Sequence, residues 1–129
     1  MSALVLDSSV ILAAILGEPG GDNVFEHIED ALVSAVNVAE VYTYAAVNGF
    51  PTDAIDAFFT DTGIEIVGHS FEQAIVTGRM AAITRKAGLS LGDRACLALA
   101  QQKQAAVLTA DRPWMVFADV LGLRIKLIR

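Results

Sequence analysis

Short apolar runs of strand length alternate with longer segments of helical pattern, and that alternation restricts the fold more than any other feature of the chain. The runs are Ala3-Leu4-Val5-Leu6, Leu32-Val33-Ser34, Ile64-Glu65-Ile66-Val67, Ala106-Val107-Leu108-Thr109 and Ile125-Lys126-Leu127-Ile128. Each is too short for a stable helix, so each reads as a strand, the first of them buried. Between them lie seven helical stretches. The first runs from Val10 to Leu16, behind Asp7-Ser8-Ser9 and ahead of Gly17. An acidic one spans Asp22 to Asp30. Another, Val38 to Val47, is opened by Asn37 and ended by Asn48-Gly49. Pro51 begins a fourth, whose Ile55, Phe58 and Phe59 mark an apolar face. Ser70 to Ala87 is closed by Gly88, Ser90 opens a helix through Gln102, and Pro113 to Leu121 is the last. No hairpin signal joins two strand runs. The pattern predicts an α/β fold, a three-layer α/β/α sandwich with a central parallel sheet of about five strands. With 129 residues, of which 54% are hydrophobic, the chain suits one domain over 1–129 with a full core.

Charge is divided unevenly. Residues 1–78 hold 12 acids and no Lys or Arg; residues 79–129 hold all nine basic residues and three acids, so −12 and +6 give the net −6. A phosphate chain is repelled by the first part and attracted by the second. No apolar run approaches a membrane span, so no membrane association is expected. The start, Met1 through Leu6 to Asp7, lacks a basic stretch ahead of a cleavable apolar segment, and no secretion signal is expected. Cys96 is the one cysteine. It excludes an internal disulfide, fits a reducing cytoplasm, and in the setting Ala95-Cys96-Leu97-Ala98 reads as a small buried hydrophobe.

In parallel α/β sheets ligands bind beyond the carboxyl ends of the strands, where the strand order reverses. Four acids fall there. Asp7 ends the first strand and Asp111 lies two residues past the fourth. Glu40 belongs to the first turn of the helix after the second strand, and Asp93 to the first turn of the helix before the fourth. Each alone reads as a helix cap; Asn37-Val38-Ala39-Glu40 and Ser90-Leu91-Gly92-Asp93 both have capping-box form. Together they need more than caps, because two carboxylates about 5 Å apart repel by roughly 3 kcal/mol at an effective dielectric near 20. Raised pKa values or a cation must relieve four of them. An oxygen-rich set without His or Cys suits Mg²⁺ or Mn²⁺, and such a site suits hydrolysis of a phosphodiester by metal-activated water. Ser8, Ser9 and Thr109 are placed to hydrogen-bond the acids or to cap and pack strand ends. His27 and His69 are expected to be non-catalytic.

Four segments resemble the motifs of PIN-domain nucleases in order and spacing: Leu4-Val5-Leu6-Asp7-Ser8-Ser9-Val10, Ser34-Ala35-Val36-Asn37-Val38-Ala39-Glu40-Val41, Leu89-Ser90-Leu91-Gly92-Asp93-Arg94-Ala95-Cys96-Leu97-Ala98-Leu99-Ala100, and Leu108-Thr109-Ala110-Asp111-Arg112-Pro113-Trp114. The resemblance implies Mg²⁺ or Mn²⁺ at Asp7, Glu40, Asp93 and Asp111, with Asp7 and Asp93 as direct ligands and Glu40 binding metal or orienting water. It implies an RNA substrate. The short length is similar to that of the VapC toxins, which implies a homodimer held in check by a small cognate antitoxin. Pro113 departs from the small residue usual at that place. Arg79, Arg85, Lys86, Arg94 and Arg112 are candidate phosphate contacts, with Arg79 and Lys86 seven apart on one helix face. Tyr42, Tyr44, Phe58 and Phe59 are candidates for a partner surface or for core.

Three rival readings share the acidic pocket. A phosphatase of the haloacid-dehalogenase type requires an acid two residues after Asp7, where Ser9 stands. A receiver domain requires an acidic pair near the first strand and a Lys after the last, whereas Lys126 falls inside the last strand. A binding domain that keeps the fold without catalysis is the third.

Overall fold

The computed structural model describes residues 3–129. Its elements are β1 (Leu4–Leu6), α1 (Ser8–Leu16), α2 (Asp22–Glu26), β2 (Ala31–Ser34), α3 (Ala35–Asn48), α4 (Thr52–Thr62), β3 (Glu65–Val67), α5 (Phe71–Thr84), α6 (Leu91–Lys103), β4 (Ala106–Thr109), α7 (Ala118–Leu121) and β5 (Ile125–Leu127). Short 3-10 turns occupy Ile28–Asp30, Arg85–Ala87 and Arg112–Phe117. All the pairings are parallel, in the order β3-β2-β1-β4-β5, as the absence of hairpin signals required.

Pleating divides β1, β2 and β4 between two cores, whereas Glu65 and Ile66 of the edge strand β3 are exposed. Leu4 and Leu6 of β1 point into one cluster with Val10 and Ile11 of α1, Val24 of α2, Val41 of α3 and Ile55 of α4. Val5 points into the other, with Met80 of α5, Leu97 and Leu99 of α6, and Leu121 of α7. The sheet is thus covered by α1–α4 on one face and α5–α7 on the other, the expected three-layer sandwich. Val5, Leu6 and Val107 are 0% exposed, and full burial of each such side chain contributes roughly 1.5–3 kcal/mol. Among the described residues, no helix is long and apolar enough to cross a membrane.

Two local expectations change. Asn37 does not open α3. Ser34 does, its Oγ accepting from the Val36 N–H at 3.2 Å, and the helix therefore begins at Ala35. Glu40 consequently sits in the second turn rather than the first. The long helix from Ser70 is α-helical only to Thr84, where the Thr84 hydroxyl donates to the Met80 carbonyl at 3.0 Å and the chain tightens into a 3-10 turn. The seven-residue repeat linking Arg79 to Lys86 is interrupted there, because a 3-10 turn advances by a different angle per residue.

β1 is the pivot of the sheet: β2 lies on one side of it and β4 on the other, although four helices and a strand separate β2 from β4 in the chain. The carboxyl ends of β1 and β4 therefore border the crevice where this class of fold places its chemistry.

Candidate active site

Asp7 leaves β1 at this crevice. Its backbone N–H donates to the Leu108 carbonyl at 3.0 Å, so β4 fixes its position. It stands at the N-cap of α1, yet its carboxylate makes no capping bond. Instead Oδ2 accepts from Ser9 Oγ at 2.7 Å and from Thr109 Oγ1 at 3.0 Å. Both donors also grip the loop after β4: Ser9 Oγ accepts from the Ala110 N–H at 3.1 Å, and Thr109 Oγ1 from the Asp111 N–H at 3.1 Å. The carboxylate is only 3% exposed, and Oδ1 is buried with no hydrogen-bond partner. Burial pushes the Asp7 carboxyl up to about 6 from 3.8; the Ser9 and Thr109 hydrogen bonds pull it down, and the charges of Asp93 and Glu40 push it further up.

Glu40 reaches the same crevice from α3. Its Oε1 accepts from Ser8 Oγ at 3.0 Å and from Asn37 Nδ2 at 2.8 Å. Its carboxylate lies against Gly92 of α6, where an added Cβ would land on the carboxylate itself. Asp93 follows in the first turn of α6 and forms the expected capping box: the Ser90 N–H donates to Asp93 Oδ2 at 2.9 Å, and the Asp93 N–H to Ser90 Oγ at 3.2 Å. Burial raises the Asp93 carboxyl, the two bonds to Ser90 lower it, and the charges of Glu40 and Asp111 raise it again. Asp111 is half-buried in the loop after β4.

The four acids thus share one electrostatic neighbourhood. Among the described residues, however, no three His, Cys, Asp or Glu side chains are gathered so as to hold an ion where they stand. The two observations differ in range: charge coupling extends over many ångströms, whereas an oxygen ligand to Mg²⁺ stands at about 2.1 Å. Each of Asp7, Glu40 and Asp93 has one carboxylate oxygen engaged by neighbouring groups: Ser9 and Thr109, Ser8 and Asn37, and Ser90 respectively. The donor set nevertheless suits a hard cation. It consists of carboxylate oxygens, and the orphaned Asp7 Oδ1 carries charge that nothing in the protein satisfies.

The structure differs among the other candidates. Arg79, Arg85, Lys86 and Arg112 are exposed. Arg94 is half-buried, and its Nη1 donates to the Thr77 carbonyl at 2.8 Å, tying α6 to α5. Tyr42 stacks on Phe59 at 6.3 Å between ring centres, Phe58 meets Phe59 edge-on at 5.4 Å, and the Tyr42 hydroxyl donates to Asp56. These rings join α3 to α4 rather than forming a free stripe. His27 and Lys126 line a small cavity with Leu4 and Ala106, at the amino ends of β1 and β4, opposite the acids. Lys126 therefore cannot serve as a receiver-type lysine. Ser9, at the position where a haloacid-dehalogenase phosphatase carries its second acid, spends its hydroxyl on Asp7 and Ala110. Cys96 is fully buried; burial first, then the charges of Asp7, Asp93 and Glu40, push its thiol well up, so it is no nucleophile. Sequence reasoning missed Asn37 as a partner of Glu40 and Gly92 as its seat. The signals were an Asn three residues before the acid and a Gly inside a helical turn.

The family model of the PIN domain matches residues 4–120, a span that includes all four acids and strands β1 to β4. This chain belongs to the PIN domain family. No curated protein matches it. The PIN fold is also found in solved structures of low identity. One chain of the DNA-bound VapBC complex from Salmonella typhimurium superposes with a TM-score of 0.76 at 18% identity, covering 100% of both chains. A chain of Rickettsia felis VapBC2, bound to a DNA fragment from the promoter of that pair, gives 0.74 at 16% identity, covering 97% of this chain and 98% of that one. VapBC-5 from Mycobacterium tuberculosis, a member of the VapBC family of toxin–antitoxin systems, gives 0.66 at 17% identity over 100% and 99%.

Proposed function

We propose that this PIN domain is a Mg²⁺- or Mn²⁺-dependent endoribonuclease and the toxin of a VapBC-like toxin–antitoxin pair. The reading is supported by the charge coupling of Asp7 with Glu40 and Asp93, and of Asp93 with Asp111, beside an Asp7 Oδ1 that is buried and unpartnered. These four residues would hold the cation. When bound, it neutralises phosphodiester charge and makes a water nucleophilic near neutral pH.

The chain's own groups do the rest. Ser9 and Thr109 orient Asp7 so that Oδ2 is engaged and Oδ1 is left for a ligand. Ser8 holds Glu40 toward α1. The capping box leaves Asp93 Oδ1 free while fixing the side chain. Arg79, Arg85, Lys86 and Arg112 are the exposed cations available to phosphates, and among the described residues none of them is in an ion pair. Arg94, with Nη1 committed to α5 and Nε buried, serves the helix pair and offers at most Nη2 to RNA. Partners on this reading are RNA, a small cognate antitoxin and a second copy of the chain in a cytoplasmic dimer; the VapBC structures of the same fold support the antitoxin. Incubation of the purified, antitoxin-free protein with a mixed cellular RNA pool tests the reading. Cleavage in Mg²⁺ or Mn²⁺ that stops in EDTA and on adding the co-expressed antitoxin is expected; cleavage indifferent to EDTA would refute the cation role.

A further inference from the structure

Asn37 is 0% exposed and lies on the first helical turn of α3, facing α6. Its single Nδ2 donates in two directions: to Glu40 Oε1 at 2.8 Å and to the Gly92 carbonyl at 3.0 Å. Both partners are pure acceptors, so the chemistry itself assigns nitrogen to this side of the amide. Its Oδ1 is buried with no partner. A buried polar side chain with one atom unsatisfied costs stability. An apolar residue would pack the α3–α6 contact without that cost.

The two acceptors belong to different parts of the acid cluster. One is the carboxylate of Glu40; the other is the peptide oxygen of the residue directly before Asp93. We propose that Asn37 is a positioning residue that fixes Glu40 relative to Asp93 by clamping the Glu40 carboxylate to the first turn of α6, and thereby sets the fit of the acid cluster for a divalent cation. The inference rests on the reading of that cluster as a cation site.

The residue type follows from the task. Two donors on one nitrogen are needed to bridge two acceptors. Ser has one donor and Asp has none. Lys and Arg have donors enough but would cancel the charge on Glu40 that a cation requires, whereas the neutral amide holds the carboxylate and leaves it anionic. Gly92 completes the clamp from the other side: with no Cβ, it lets the carboxylate lie on the α6 backbone.

Mn²⁺ binding to the full-length, metal-free protein, measured by isothermal titration together with the melting temperature without metal, tests this as a cycle. The proteins are wild type, Asn37→Ala, Glu40→Gln and the double variant. Asn37→Ala is expected to weaken Mn²⁺ binding about tenfold or more, as loss of a partner behind a metal ligand does. In the Glu40→Gln background the same substitution is expected to change Mn²⁺ affinity less than about twofold, while its effect on melting temperature persists. Equal Mn²⁺ affinity in wild type and Asn37→Ala would overturn the positioning role. An equal loss in both backgrounds would also overturn it, since Asn37 would then act through the fold and not through Glu40. If wild type itself bound no Mn²⁺, the cation reading would fail, and with it the basis of the clamp. Asn37→Ser, which keeps one donor in a smaller side chain, takes the place of Asn37→Ala in every comparison if the alanine variant does not fold.

Discussion

Asp7→Asn removes a charge that the folded chain buries without full compensation, and its consequence for metal-free stability can be worked through. The Asp7 carboxyl titrates near 6 in the folded protein against 3.8 for an ordinary Asp. The shift is upward, so the native state holds the proton more tightly than the unfolded chain does. Stability from this group is complete below about pH 4 and is lost as pH rises through about 6. The full shift corresponds to about 3 kcal/mol, of which about 2–3 kcal/mol falls between pH 4 and pH 8. Asn is neutral throughout and keeps an oxygen to accept from Ser9 and Thr109. Urea unfolding of wild type and Asp7→Asn in EDTA, from pH 4 to pH 8, reads the difference directly. Wild type should lose about 2–3 kcal/mol relative to the variant over that range. Saturating Mg²⁺ should restore the loss in wild type alone, since a ligand of the native state stabilises it. Stability curves for the two proteins that stay parallel across the range would refute the reasoning.

Other outcomes follow from the same geometry. Gly92→Ala improves helix propensity by about 1 kcal/mol but drives a methyl into the Glu40 carboxylate. Circular dichroism should show the fold retained, while RNA cleavage falls about 100-fold or more; wild-type cleavage would show that Glu40 need not stay where it is. Thr109→Val deletes a donor to Asp7 and the acceptor of the Asp111 N–H. The Asp7 carboxyl, followed by carboxyl-carbon NMR without metal, should titrate higher than in wild type, and an unchanged midpoint would contradict the role of that hydroxyl. Cys96, sealed in the α6 core beside three acids, should resist iodoacetamide at pH 8 in the native protein and react fully in urea; fast native labelling would contradict its placement.

Layering and strand direction were legible because they depend on local signals repeated along the chain. Apolar runs such as Ala106-Val107-Leu108-Thr109 have strand length, and no turn capable of a hairpin joins any two of them. The position of two of the acids followed from the same logic, since Asp7 directly follows β1 and Asp111 lies two residues past β4. The Ser90–Asp93 capping box was legible because all its atoms lie within four residues. What escaped depends on contacts distant in sequence. Ser34 and Asn37 are both good N-cap residues, and nothing local chooses between them; the choice falls to Gly92, 55 residues away, which takes the Asn37 amide into the α3–α6 seam. Arg94 likewise reads as a free cation until Thr77, 17 residues earlier, claims one of its nitrogens. The break in helical phase before Lys86 comes from the back-bond of Thr84 to Met80, a competition between side chain and backbone that propensity does not resolve.

The most direct test of the central claim is cleavage of a mixed cellular RNA pool in Mn²⁺ by wild type and by folded Asp7→Asn and Asp93→Asn. Metal-dependent cleavage by wild type that falls by orders of magnitude in both variants is the expected result. Cleavage by either variant at the wild-type rate would contradict the assignment of the acid cluster as the catalytic centre.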